Sequence, residues 1–234
     1  MLPVLAQDAK EIVRKADEHA KGNTSVANIT IQTIRPGWTR EMMVKSWTKG
    51  NDLVLILVLT PVKEKGVVYL KRKKEVWNWI PSIERNIKMP PSMMSQSWMG
   101  TDFTNDDLVK EASVLEDYHH TILGDTIIEG RVCYKIQLMP KPASAVVWGK
   151  IWMCIDKKDF LMLNIEYFDE DGNLVNRMRS SDIKILGDRL LPGRMEMFPA
   201  GKKGNKTVLI YNSLVFDTLV DDAFFTTQNM TRVK

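Results

Sequence analysis

The chain has 234 residues, 44% of them hydrophobic, and 33 Lys and Arg against 29 Asp and Glu leave a formal charge of +4. That length and apolar content suit one large all-β domain with a real core, and so small a charge, spread along the chain, argues against nucleic acid as a partner. No apolar run approaches the ~18 residues of a membrane span, and two cysteines and three histidines without a Cys-x-x-Cys argue against a structural zinc site.

The opening MLPVLAQ puts Val4 and Ala6 at the small-residue positions of a signal-peptide cleavage site before Gln7, with no basic region ahead of them. Residues 1–7 are read as the tail of a leader and 8–234 as one domain. Residues 8–21, DAKEIVRKADEHAK, space their apolar positions at Ala9, Ile12, Val13, Ala16 and Ala20. This is an amphipathic helix with Asp8 as N-cap, Glu11 three residues on and Gly22 after its end. Strand patterns follow at 26–34, 39–48, 53–59, 66–71, 75–80 and 83–89. The basic run Lys71-Arg72-Lys73-Lys74 falls between two of them and reads as a solvated hairpin turn.

A different segment comes next. Residues 88–112, KMPPSMMSQSWMGTDFTNDDLVKEA, carry Met89, Met93, Met94, Trp98, Met99 and Phe103. We read a helical insertion over about 91–112, with Thr104 or Asn105 capping DDLVKEA and Asp106 and Asp107 in its first turn. Strand patterns resume at 113–123, 125–129, 131–139, 147–156, 161–168, 174–186, 194–198 and 206–216. Asp169-Glu-Asp-Gly-Asn173 and Leu186-Gly-Asp-Arg189 are tight hairpin turns. Asp221-Asp-Ala-Phe-Phe225 reads as one helical turn. Short strands joined by hairpins imply an antiparallel sheet that must curl or close.

A large sheet with one Met- and Trp-rich insertion describes a container with an apolar lid. Methionine is unbranched and polarizable, so it suits a pocket that fits varied alkyl chains. The blander alternative is ordinary core beneath a cover, but six large apolar residues exceed what a cover needs. Catalytic readings are weak. The Asp169–Asp171 carboxylates flank a turn glycine without calcium-loop spacing. His119 and His120 are neighbours on a strand and point to opposite faces. No nucleophile-elbow pattern occurs.

The order of helix, strand meander, Pro-rich helical insertion and more strands resembles the LolA/LolB/RseB-like fold. More closely, the chain resembles the bacterial outer membrane lipoprotein-sorting protein family with a LolA-like domain. Trp77-Asn-Trp79-Ile-Pro81, Gly100-Thr-Asp-Phe-Thr-Asn-Asp-Asp-Leu108, Trp148-Gly-Lys150, Tyr167-Phe-Asp-Glu-Asp-Gly172 and Asp222-Ala-Phe-Phe-Thr226 carry the likeness, over about residues 8–234. The resemblance implies a mainly β fold: a half-closed antiparallel β-barrel with an N-terminal helix and the helical lid, enclosing an apolar cavity. It implies a non-enzymatic periplasmic carrier or chaperone of a Gram-negative bacterium, binding acyl chains of a lipoprotein or lipid. An inner-membrane transporter and an outer-membrane acceptor would be its partners, and it would be monomeric and free of cofactors. The alternative is an RseB-type sensor that detects lipid or mislocalised lipoprotein and signals to a membrane partner. The candidate cargo-contacting set is Trp79, Met89, Met93, Met94, Trp98, Met99 and Phe103. In LolA-type carriers an early-strand arginine holds the lid shut. The corresponding stretch here, about 47–59, has Lys49 and no arginine, so those hydrogen bonds do not carry over.

One covalent expectation comes from register. If 131–139 and 147–156 form a hairpin centred near Ala143 and Ser144, Cys133 and Cys154 lie directly opposite on the polar side. Opposed Cα atoms about 5 Å apart are within disulfide reach. The alternative is two unpaired thiols on neighbouring strands.

Overall fold

The computed structural model describes residues 8–73, 75–107, 113–142, 144 and 146–234. Helix α1, Ala9–Lys21, is capped as the sequence requires. The Lys10 amide donates to Asp8 at 3.1 Å, and Gly22, at φ 65°, returns its N–H to Glu18 O. The other helices are short: α2 is Ser113–Glu116 and α3 is Thr227–Met230.

Thirteen antiparallel strands make one sheet. In chain order they are β1 Thr24–Arg35, β2 Trp38–Lys49, β3 Leu53–Thr60, β4 Val68–Arg72, β5 Glu75–Ile80, β6 Arg85–Lys88, β7 Tyr118–Ile128, β8 Arg131–Pro140, β9 Lys150–Asp156, β10 Met162–Phe168, β11 Leu174–Leu186, β12 Arg189–Pro199 and β13 Lys206–Phe216. Spatial order is β6-β5-β4-β3-β2-β1-β13-β12-β11-β10-β9-β8-β7. Two meanders therefore join at the β1–β13 pair, and the sheet does not close, so the fold is the expected half-barrel. Two boundaries differ from the sequence pattern. Residues 113–116 form α2 rather than the start of a strand, and the two patterns at 113–123 and 125–129 merge into β7 across an irregularity at Gly124.

The register shows which residues share a face. Met153, Ile165, Met178, Met197, Thr207 and Thr33 are successive partners across β9, β10, β11, β12, β13 and β1. At one end of this inner face, α1 buries Ile12, Val13 and Ala16 against Ile136, Leu138, Ile151, Met153 and Ile165. At the other, Trp98 of the insertion packs on Ile31, Met42, Val44, Ile56 and Val58. The C-terminal segment crosses the opposite, outer face. Phe225 and Met230 cover Trp47, Leu55, Leu57, Val68 and Leu70 there. Trp47 and Phe224 stack 5.2 Å apart, and Arg72 donates to Phe225 O at 3.1 Å. Lys71 departs from the solvated-turn reading. It points to the inner face, is only 6% exposed, and donates to Asn51 O at 2.7 Å.

The cysteine expectation is corrected. Cys133 pairs in register with Asp156, and Cys154 with Lys135, so the two cysteines are diagonal rather than opposed. Both are free, and both are buried with Leu161 and Leu163 rather than on a polar surface. The two strands pair about a point one residue further along the chain than Ala143–Ser144, which shifts each partner by two residues. Burial pushes the Cys133 thiol up to about 11 and raises Cys154 as well. Thiolate is the reactive form. A thiol reagent at pH 8 is therefore expected to find two thiols after unfolding and almost none in the native protein; fast native labelling would contradict this burial.

Phe225 is fully buried between the tail and the sheet. Phe225→Ala should cost about 3–5 kcal/mol by urea denaturation. A loss under 1 kcal/mol would mean that the tail is not part of the folded core.

Candidate functional site: the pinned insertion on the inner face

The described part of the insertion, residues 89–107, is not one continuous lid helix. It consists of single helical turns at Pro91–Met93 and Trp98–Gly100, with irregular backbone between them. The reasons are local. Pro90 and Pro91 remove backbone donors, and Met99 and Gly100 take left-handed backbone at φ 48° and 75°. Leu108 to Ala112, most of the expected DDLVKEA helix, lie outside the described residues. The cap itself forms: the Thr104 amide donates to Asp107 at 2.8 Å, and the Asp107 amide donates to the Thr104 hydroxyl at 3.1 Å.

The structure brings six of the seven candidate residues together. Trp98 is 1% exposed and lies edge-on to Tyr69, with ring centroids 5.7 Å apart. Burial pushes the Tyr69 hydroxyl up to about 12. Met99 packs in the same cluster. Met89 is buried against Val76, with Met93 and Met94 half-buried beside it. Phe103 is buried, and its carbonyl accepts from the Trp98 amide at 2.8 Å. Trp79 does not belong to this group. It sits on the outer face, packed with the C-terminal segment around Phe225. The alternation within β5 decides this, because Val76 and Asn78 take the inner face.

Sequence reasoning passed over the inner-face methionines Met178, Met195 and Met197, although the alternation Arg194-Met195-Glu196-Met197 signals them. It also passed over the groups that fasten the insertion. Arg35 forms a two-pronged pair with Asp102, both contacts at 3.0 Å, with side chains only 15% and 7% exposed. Arg35 also donates to Gly100 O and Lys206 O, each at 3.2 Å. The Thr207 hydroxyl donates to Asp102 at 2.7 Å, and the Asn176 amide reaches Asp102 O at 3.3 Å. Arg40, paired with Glu64, donates to Met99 O at 2.7 Å. The insertion is thus held by arginines of β1 and β2. The stretch at 47–59 was the wrong place to look for them.

At its far end the insertion reaches the α1 side. Trp148 Nε1 donates to Asp107 at 3.0 Å, and Tyr118 donates to Trp148 O at 3.1 Å. Gly149 makes this possible, because a Cβ there would lie 2.5 Å from Asp169 O. The remaining gap under the insertion is about 10 Å³, lined by Val54, Ile56, Tyr69, Val76, Met89 and Asn105. That is room for one water at most. The buried side chains of the insertion occupy this part of the inner face. Among the described residues, no group of three His, Cys, Asp or Glu side chains is placed to hold a metal. The Asp169 carboxylate accepts from the Asn173 backbone and side chain, as a turn residue does.

The comparisons follow this geometry. A family model described as "Uncharacterized protein" matches residues 50–232. No curated protein matches in sequence. The fold is similar to a DUF1329-family protein from Desulfovibrio piger, with TM-score 0.87, 20% identity, and 96% of this chain and 100% of that one covered. It is similar to a LolA superfamily protein from Nitrosomonas europaea, with TM-score 0.81, 24% identity and 96% and 100% covered. It is also similar to a putative outer membrane lipoprotein-sorting protein domain from Vibrio parahaemolyticus, with TM-score 0.83, 21% identity and 96% and 98% covered. The fold is LolA-like.

Removing one partner of a buried ion pair costs about 3–5 kcal/mol. Asp102→Ala should therefore raise protease cleavage within 93–107 by at least about a hundredfold, with the circular dichroism of the sheet unchanged. Unchanged cleavage would show that the pair does not hold the insertion.

Proposed function

The chain belongs to the family of uncharacterized proteins whose model covers residues 50–232, and from that premise and the LolA-like fold we propose that it is a periplasmic carrier. It shields an acyl chain of a lipoprotein or lipid on the inner face, beneath the insertion. The observation that carries this reading is the insertion itself. Five large apolar side chains, four of them methionines, pack on the inner face of an open sheet, and polar contacts at Asp102 fasten the segment that carries them. An acyl chain would replace these side chains and gain about 0.8 kcal/mol per buried methylene. The methionine-rich wall formed by Met178, Met195 and Met197 would adapt to chains of different shape. No catalytic residue is needed, and the polar contacts at Asp102 would re-form on release.

A fluorescent fatty-acid probe should bind with micromolar affinity. Met93→Asp combined with Met94→Asp should abolish binding, because both side chains are half-buried on the route that an alkyl chain must take. Both positions lie outside the strands, so the sheet should fold normally. Probe binding that survives both changes would make the insertion a structural cover and not a lid.

A further inference from the structure

The hairpin joining β12 to β13, Phe-Pro-Ala-Gly-Lys-Lys-Gly-Asn over 198–205, encloses an open cleft of about 340 Å³. Phe198, Gly201, Lys202, Lys203, Gly204 and Asn205 line it, and no carboxylate does. Gly201 and Gly204 have φ of 71° and 82°, so the backbone turns twice in four residues. A Cβ on Gly201 would meet nothing within 4 Å, which marks open space beside the two lysines. The only carboxylate on the adjoining strand, Glu196, is already taken by Arg194 and Lys206, at 3.1 and 2.8 Å. Two more cations, Arg179 and Lys206, lie over the Phe198 ring at 5.8 Å. The cleft is a concentrated positive field of small-molecule size.

Its neighbour narrows the choice of anion. Gly204 abuts Pro36, where a Cβ would sit 3.3 Å from the proline ring. Pro36 belongs to the β1–β2 turn, which carries Trp38 with 53% of its surface exposed. An exposed indole beside a basic cleft is the pairing that suits a membrane interface, where the ring sits among headgroups and lysines meet phosphates.

We propose that the β12–β13 cleft binds the phosphate headgroup of an anionic phospholipid, with Trp38 resting in the same bilayer surface. This docks the end of the sheet where Arg35 holds Gly100 and Asp102, and it is independent of the carrier reading, because the cleft lies outside the inner face.

The test is co-sedimentation with phosphatidylcholine vesicles, with and without phosphatidylglycerol. Binding should require phosphatidylglycerol. It should weaken about fivefold per lysine removed, or about 25-fold for Lys202→Gln with Lys203→Gln. Lys157→Gln with Lys158→Gln, in the β9–β10 turn at the other end of the sheet, should bind normally. Equal binding to neutral vesicles, no loss with the cleft variant, or equal loss with the control would each overturn the site. In a second arm, glycerophosphoglycerol is titrated while the Gly201 and Gly204 amide resonances are followed. Resonance shifts without vesicle binding would mean that the cleft takes a free phosphate ester, and the lipid proposal would fall.

Discussion

The inner face depends on one buried ion pair, Arg35–Asp102, set over the seam where β1 meets β13. Arg35 ends β1, and Thr207, the second partner of Asp102, is the second residue of β13. Within the sheet, those two strands are where the meander of β2–β6 meets that of β7–β12. A buried pair of this kind contributes little net stability, since desolvation offsets most of the attraction. Its value is positional. With two parallel hydrogen bonds and further hydrogen bonds to both partners, it pins the middle of the irregular insertion to the sheet. The apolar side chains on either side of it then follow. Trp98 enters the cluster of β1–β3 on one side, and Asp107 meets Trp148 on the other.

This arrangement covers much of the inner face although the sheet is open. A half-closed sheet exposes a long apolar face, and large exposed apolar patches are rare in soluble proteins. α1 covers one part and the insertion covers the rest. The two covers differ in kind. α1 is a capped helix with its apolar stripe fully buried. The insertion has two prolines, left-handed residues and single turns, and it is held by turn-type hydrogen bonds, such as Trp98 N–H to Phe103 O and Asp106 N–H to Met94 O, rather than by a regular ladder.

Much of the fold was legible in the sequence. Capping residues and apolar spacing defined α1, and alternation with turn residues located the strands. The register was not legible where loops were irregular. The Cys133–Cys154 expectation centred the β8–β9 hairpin one residue too early, and nothing in the loop sequence fixes that centre. The insertion was found by composition, and Pro90, Pro91 and Gly100 divide its described part into single turns. Trp79 was misplaced by one step of the strand alternation, which moves a side chain to the opposite face. Arg35 and Asp102 were invisible for a different reason. They are 67 residues apart, and nothing local in either neighbourhood requires the other.

The central claim is that cargo replaces the insertion on the inner face. Hydrogen exchange of residues 89–107, with and without a saturating long-chain alkyl ligand, tests it most directly. The account predicts faster exchange at the Trp98, Thr101, Asn105 and Asp106 amides when the ligand is bound, with β8 and β9 beneath α1 unchanged. Saturated binding with those four amides still protected would contradict it.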